Sequence, residues 1–165
     1  MLARLICNLS TKLLGASMRF VIQRVKSSRL EVDGQLVSEI GRGYNVFLGV
    51  TKEDTMDNVQ KCARRIATVR LFKDEQTDKL QYNISQVGGE VLLVSNFTLC
   101  DKKGGGGARP DFTLSADKET AITLYKALQK ELIDTYNIPT KLGKFAEHMQ
   151  IYTQLDGPIN FVQEY

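Results

Sequence analysis

The stretch covering residues 19–40 restricts the fold more than any other part of this sequence. RFVIQRV opens it, and residues 29–40 alternate apolar and polar side chains around Asp33-Gly34. A period of two sends successive side chains to opposite faces of a strand, and an Asp-Gly pair supplies the positive φ angles of a type I′ hairpin turn. Two antiparallel strands are predicted.

The rest of the chain extends this pattern. Residues 44–50, YNVFLGV, are a short β-branched and aromatic run bounded by Gly41-Arg42-Gly43, which predicts a buried strand in the middle of the sheet. Residues 55–68 place Met56, Val59, Ala63, Ile66 and Ala67 at helical spacing, with Asp54 or Thr55 available to cap the first turn. Residues 69–72 and 90–97 read as further strands, separated by a polar segment ending in Gly88-Gly89. A second helix is predicted over residues 117–136, with Ala121, Leu124, Tyr125, Leu128, Leu132 and Ile133 on one face and Asn137-Ile138-Pro139 as its stop. Residues 148–153 and 159–162 close the chain as two strands around Leu155-Asp156-Gly157-Pro158. About seven strands and two helices without strict βαβ alternation predict an α+β fold.

A length of 165 residues suits one domain. No run of about 18 apolar residues is present, so no membrane-spanning helix is expected. Lys and Arg number 22 against 19 Asp and Glu, but Arg4 and Lys12 stand in residues 1–17, a leader without acids. The domain proper, residues 18–165, then holds 20 cations against 19 acids. Any nucleic-acid contact should therefore be local, without a broad basic stripe. The leader resembles either an organelle-targeting segment or an upstream extension; its longest apolar run, residues 5–7, is too short for the ~7–15 residues of a secretory core. A cytoplasmic location is expected, or a mitochondrial or other organellar one if the leader is a transit peptide.

Cys7, Cys62 and Cys100 are odd in number and widely spaced, so neither a disulfide framework nor a thiolate zinc site is suggested, and a reducing compartment fits. His148 is the single histidine. A histidine zinc site or a Ser-His-Asp triad would rest on it alone, and it reads as an interface or partly buried imidazole rather than a base. No metal and no cofactor are expected.

Three irregular places attract chemistry. Ser95-Asn96-Phe97-Thr98 ends an apolar strand with two hydroxyls and an amide, and strand alternation would put Asn96 and Thr98 on one side and Ser95 and Phe97 on the other. Taken alone, such hydroxyls bond local backbone. Gly157-Pro158 allows a tight turn and close approach to main-chain atoms, or is a plain turn. The segment DKKGGGGARPDF, residues 101–112, is the one low-complexity patch. Its four glycines predict a mobile loop, with Lys102, Lys103 and Arg109 open to an RNA backbone or simply to solvent. It lacks the GK[ST] of a nucleotide-binding loop.

Taken in order, residues 18–25 (MRFVIQRV), residues 95–99 (SNFTL), Pro110-Asp111-Phe112, Gly143-Lys144-Phe145 and Asp156-Gly157-Pro158 resemble the D-aminoacyl-tRNA deacylase family over residues 18–165. The resemblance implies a homodimer of β-barrel-like subunits with two packed helices. The implied reaction is metal-independent hydrolysis of the ester joining a D-amino acid, or glycine, to the 3′ adenosine of tRNA, a proofreading step in translation. It implies a pocket built by Ser95, Phe97 and Thr98, with Asn96 and Phe145 as substrate contacts, and a cis Gly157-Pro158 entering from the partner subunit, fixed by Arg24. Main-chain carbonyls of such a motif admit a hydrogen but clash with an L side chain. The amides of Phe97 and Thr98 become oxyanion donors, the ribose 2′-OH assists water, and Thr98 positions rather than attacks. Asn96 stands where the family usually carries Gln, and Ile159-Asn160 where it usually carries Val-Thr. The alternatives are a non-catalytic nucleic-acid-binding protein on the same scaffold and a Thr-dependent amidohydrolase.

Overall fold

The computed structural model describes residues 17–102 and 108–165. The organisation of the leader and the expected mobility of the glycine-rich loop, including Lys103, therefore fall outside the described residues. The elements run β1 (Arg19–Val32), β2 (Gln35–Ile40), β3 (Gly43–Gly49), α1 (Met56–Thr68), β4 (Phe72–Lys73), β5 (Leu80–Tyr82), β6 (Glu90–Ser95), α2 (Lys118–Asp134), β7 (Thr140–Leu142) and β8 (Gln150–Glu164).

The hairpin signal at Asp33-Gly34 is realised, with φ of 51° and 75° and Val32 opposite Gln35. After the turn the chain runs back along the whole of β1: Ser28 faces Ile40 in β2, and Val25 faces Gly43 in β3. β8 occupies the other edge of β1. β6 lies parallel to β3 and β7 parallel to β6, so the sheet is mixed, with β3 in its middle. It curls until β2 meets β7, where Ser38 Oγ donates to the Leu142 carbonyl at 2.6 Å and Lys141 Nζ to the Glu39 carbonyl at 2.5 Å. The result is a nearly closed, barrel-like sheet with two helices, an α+β fold.

Two apolar layers hold it together. Phe20, Ile22, Tyr44, Val46, Leu48, Val91 and Leu93 pack under both helices, while Val25, Leu30, Ile40, Leu92 and Val94 fill the inside of the curl. β6 is thus buried on both faces, as its unbroken apolar run requires. Each large apolar side chain so buried contributes about 1.5–3 kcal/mol. Met56 and Ile133, placed on buried faces by periodicity, are instead exposed at helix ends.

Three expectations are corrected, and one strand, β7, is added to them. The strand read over residues 90–97 stops at Ser95, because the Asn96 side chain captures the Thr98 amide and starts a 3-10 turn at Phe97–Cys100. The strand read over residues 69–72 shrinks to β4, paired with the unforeseen β5 in a separate small sheet. β7 was too short, and too close behind Pro139, to show a period. The two closing strands are one, β8, because β1 runs beside it without interruption; between Val25↔Leu155 and Gln23↔Asn160 the extra residues of β8 bulge out and pairing then resumes.

Candidate active site

A cavity of about 690 Å³ opens where β6 ends. Val94, Ser95, Asn96 and Phe97 form one wall, Phe145 to Met149 a second, and Ser115, Ala116, Lys118 and Ala121 at the start of α2 a third. Phe47 and Ile151 help to line it as well. The walls are mostly apolar with a few polar groups at the β6 end, the usual make-up of a small-ligand site.

Local chemistry sets the β6 wall. The Asn96 amide donates to the Leu48 carbonyl at 2.7 Å, which ties the turn to β3. Its side-chain Oδ1 accepts the Thr98 amide at 3.2 Å and the Thr98 hydroxyl at 2.5 Å. Asn96 and Thr98 thus form one cap, where strand alternation had them as neighbours on a face. A Cβ on Gly49 would lie 2.9 Å from Leu99 Cβ and 3.2 Å from the Asn96 carbonyl, so only glycine lets the turn rest on β3. Arg19 anchors the far side, donating to the carbonyls of Leu99 at 2.8 Å and Asp101 at 2.6 Å.

Phe97 is 58% exposed and meets Phe112 edge-on, with centroids 5.1 Å apart. Phe112 leads back to a stem: Asp101 Oδ1 accepts the Asp111 amide at 2.7 Å, and the Lys102 amide donates to the Asp111 carbonyl at 2.8 Å. The Asp111 carboxylate, receiving the Thr113 amide, is held below the usual carboxylate range. Across the cavity, Phe145 packs on Tyr125 at 5.8 Å, and the Tyr125 hydroxyl donates to the Leu93 carbonyl at 2.7 Å.

The structure brings Ser95, Asn96, Phe97 and Phe145 to this cavity and hangs Thr98 on Asn96 at its edge. It does not bring Arg24, Gly157 and Pro158 there within one chain. Arg24 pairs with Tyr44, whereas Ser95 pairs with Leu48; four residues of β3 separate the two places, about 13 Å at ~3.3 Å per residue. At that far end Arg24 Nε donates to the Asp156 carbonyl at 3.0 Å, and its guanidinium also reaches the Leu71 carbonyl. The Gly157-Pro158 bond is cis.

Sequence reasoning missed part of the lining. His148, expected as an interface or partly buried imidazole, is exposed at the cavity mouth within this chain, and Lys118 stands there too. The only available signal was the nearness of His148 to Gly143-Lys144-Phe145, and none marked Lys118.

The chemistry available is that of oriented polar groups. The Thr98 proton points to a carboxamide oxygen, which is no base, so its hydroxyl is not activated as a nucleophile. With the Thr98 amide taken by Asn96, the expectation of two oxyanion amides reduces to that of Phe97, which has no acceptor among the described residues. Burial pushes the Cys100 thiol up to about 11 and the Cys62 thiol higher still, leaving both protonated and inert at neutral pH. Among the described residues no group of three or more His, Cys, Asp or Glu is arranged to hold a metal, and no helix is long and apolar enough to cross a membrane.

The family profile of D-Tyr-tRNA(Tyr) deacylases matches residues 21–164. A D-aminoacyl-tRNA deacylase of Persephonella marina is 41% identical over 144 residues, 86% of this chain and 94% of the relative. One from Clostridium botulinum is 38% identical over 149 residues, covering 88% and 95%. Among solved structures, a c-Myc DNA unwinding element binding protein superposes with a TM-score of 0.83 at 35% identity, over 89% of this chain and 98% of the other. A structure described as that of a probable eukaryotic D-amino acid tRNA deacylase superposes with a TM-score of 0.78 at 14% identity, over 90% and 100%, a likeness of fold.

Proposed function

This chain belongs to the D-Tyr-tRNA(Tyr) deacylase family, and we propose from that premise how its residues carry the reaction. The protein is a hydrolase that releases D-amino acids from mischarged tRNA, a proofreading step in translation. The observation that carries this is the family match across nearly the whole described domain, joined to a cavity walled by Ser95, Asn96 and Phe97.

The aminoacyl end of the tRNA enters the cavity with its ester carbonyl toward the Phe97 amide. Water adds to the carbonyl carbon, the developing oxyanion is met by that amide, and the acyl C–O bond breaks with a proton passing to the ribose oxygen. The ribose 2′-OH beside the ester orients the water, so no histidine base is needed. Thr98, held by Asn96, positions the substrate and forms no covalent intermediate.

Selection against L-aminoacyl ends is assigned to Gly157 and Pro158 of a second copy. Two observations support a two-fold pairing. The motif lies about 13 Å along the sheet from Ser95 in its own chain, and β8, an edge strand, carries exposed Tyr152, Leu155 and Val162. Arg24 holds the motif through Asp156. A cytoplasmic site of action suits the bacterial relatives.

Turnover of D-tyrosyl-tRNA and L-tyrosyl-tRNA tests the reading. Rapid release of D-tyrosine with L-tyrosyl-tRNA left intact is the expected result. Retained tRNA binding without turnover of either would mean a non-catalytic nucleic-acid-binding protein, and equal turnover of both would remove the chiral filter. Glycyl-tRNA, assayed alongside, decides whether an achiral substrate is also cleaved.

A further inference from the structure

A second groove, about 430 Å³, lies on the outer face of α1 and is lined by Lys61, Arg64, Arg65, Thr68 and Tyr165. We propose that Lys61, Arg64 and Arg65 bind the phosphodiester backbone of RNA there, apart from the cavity at the end of β6. The choice of RNA rests on the deacylase reading; the anion site itself rests on geometry and charge.

Residues three and four apart lie on one face of a helix, so Lys61, Arg64 and Arg65 present three cations to one groove. One carboxylate answers them: Asp57, an exposed partner of Lys61 at 2.5 Å. Such an exposed pair contributes little and yields readily to a competing anion. Arg64 and Arg65 have no carboxylate partner among the described residues; Arg42, Arg70 and Arg109 share that condition, but only Arg64 and Arg65 lie together with a lysine on one groove. A single cation in the last turn of a helix is explained by the helix dipole, but adjacent unpaired arginines with a lysine one turn earlier exceed that need.

Arg65 is also preorganised. Its Cζ sits 4.8 Å from the centre of the Phe161 ring, and its shielded Nε finds no acceptor. A guanidinium stacked on a ring keeps its planar fork open to a phosphate. The domain balances to near neutrality, so this concentration of unpaired charge is local, as any nucleic-acid contact on such a chain must be.

Position joins the groove to the reaction. Phe161 and Ile159 both pack on the helix-covered core, and Phe161 follows Pro158 by three residues along β8, about 10 Å at ~3.3 Å per residue. In the two-fold pairing, the subunit that lends its Gly-Pro strip to a partner's cavity carries this groove beside the strip. An acceptor end seated in that cavity would leave its backbone within reach of the groove.

The test uses the full chain, uncharged tRNA and a salt series, with Arg64→Gln and the pair Arg64→Gln, Arg65→Gln. The expected result is at least tenfold weaker tRNA binding for the pair and a salt slope shallower by roughly 1–2, since each neutralised phosphate adds about 0.7–0.9. Arg64→Lys with Arg65→Lys should retain most of the slope. Hydrolysis of D-tyrosyl-adenosine, which has no phosphate, should stay within about twofold of the parent protein.

An unchanged affinity and slope in Arg64→Gln, whose side chain is exposed, and in the pair would overturn the proposal. So would duplex DNA bound as tightly as tRNA at equal salt, or loss of D-tyrosyl-adenosine hydrolysis in parallel with binding. If the parent protein cleaves neither substrate, the deacylase reading fails; the groove is then judged by the binding series alone.

Discussion

Arg24 holds Asp156 twice: its Nε lies 3.0 Å from the Asp156 main-chain oxygen and 3.0 Å from the carboxylate Oδ2. Arg24 is buried and Asp156 partly so, which places a charge-assisted clamp at the base of the Gly157-Pro158 bulge. A lysine has the charge but neither the fork nor the reach to serve Asp156 and the Leu71 carbonyl together. Arg24→Lys is expected to lower kcat/KM for D-tyrosyl-tRNA by at least tenfold while costing about 1–3 kcal/mol in urea unfolding. Unchanged discrimination between D- and L-tyrosyl-tRNA in this variant would separate the clamp from the chiral filter.

Gly157 has φ of +137°, and a Cβ there would come 2.7 Å from the Ile159 amide nitrogen. Both the backbone angle and the contact oppose any other residue. Gly157→Ala should lose about 1–3 kcal/mol of stability and most of its deacylation rate. Side-by-side denaturation and single-turnover assays check the two effects.

Asn96 and Thr98 act as a unit, so their replacements should not be additive. Thr98→Ala keeps the Asn96 cap on the backbone and is expected to retain appreciable hydrolysis, within about tenfold of the parent rate. Asn96→Ala removes the cap, costs about 0.5–2 kcal/mol, and lowers the rate further. Complete loss of turnover in Thr98→Ala with tRNA binding intact would assign Thr98 as the nucleophile.

Tyr125 links α2 to the cavity floor through the Leu93 carbonyl. Tyr125→Phe keeps the ring packed on Phe145 and leaves the Leu93 carbonyl to the Gly143 amide, 2.9 Å away, so only one net hydrogen bond is lost and the cost by chemical denaturation should be about 0.5–1.5 kcal/mol.

Asp54 supplies one pH dependence, opposite in sign to that of Asp74, Asp111 and Asp117, whose carboxyls are held below the usual range by local hydrogen bonds. Burial raises its carboxyl above the ordinary 3.8, against the opposing pull of the Thr51 amide, which donates to Oδ2 at 2.6 Å. The folded state therefore holds this proton more tightly than the unfolded chain. Ionised Asp54 costs stability at neutral pH, and that cost is relieved as pH falls through the raised folded value toward 3.8. Asp54→Asn abolishes the change. Urea midpoints followed from pH 7 down to pH 4 should show the parent protein gaining on Asp54→Asn as acid is added.

The hairpin and both helices were legible in the sequence because they depend on local signals: a turn dipeptide and long apolar periods. The strand end at Ser95 was not, since the outcome depends on Asn96 winning the Thr98 amide from the ladder, a contest that period counting does not register. β8 reads from sequence as two strands, 148–153 and 159–162, around Leu155-Asp156-Gly157-Pro158, because only the unbroken neighbour β1 restores pairing beyond the bulge. Among the site residues, Ser95, Asn96, Phe97 and Phe145 reached one cavity, but Phe145 and Met149 meet it through the barrel's curl, which no window of sequence contains.

The stem formed by Asp101, Lys102 and Asp111 fixes where the chain delivers Phe112 to Phe97. The chain leaves and re-enters at one sealed point, with Arg19 bracing the near side. Insertions, deletions or recoding between those two aspartates can therefore accumulate without moving Phe97.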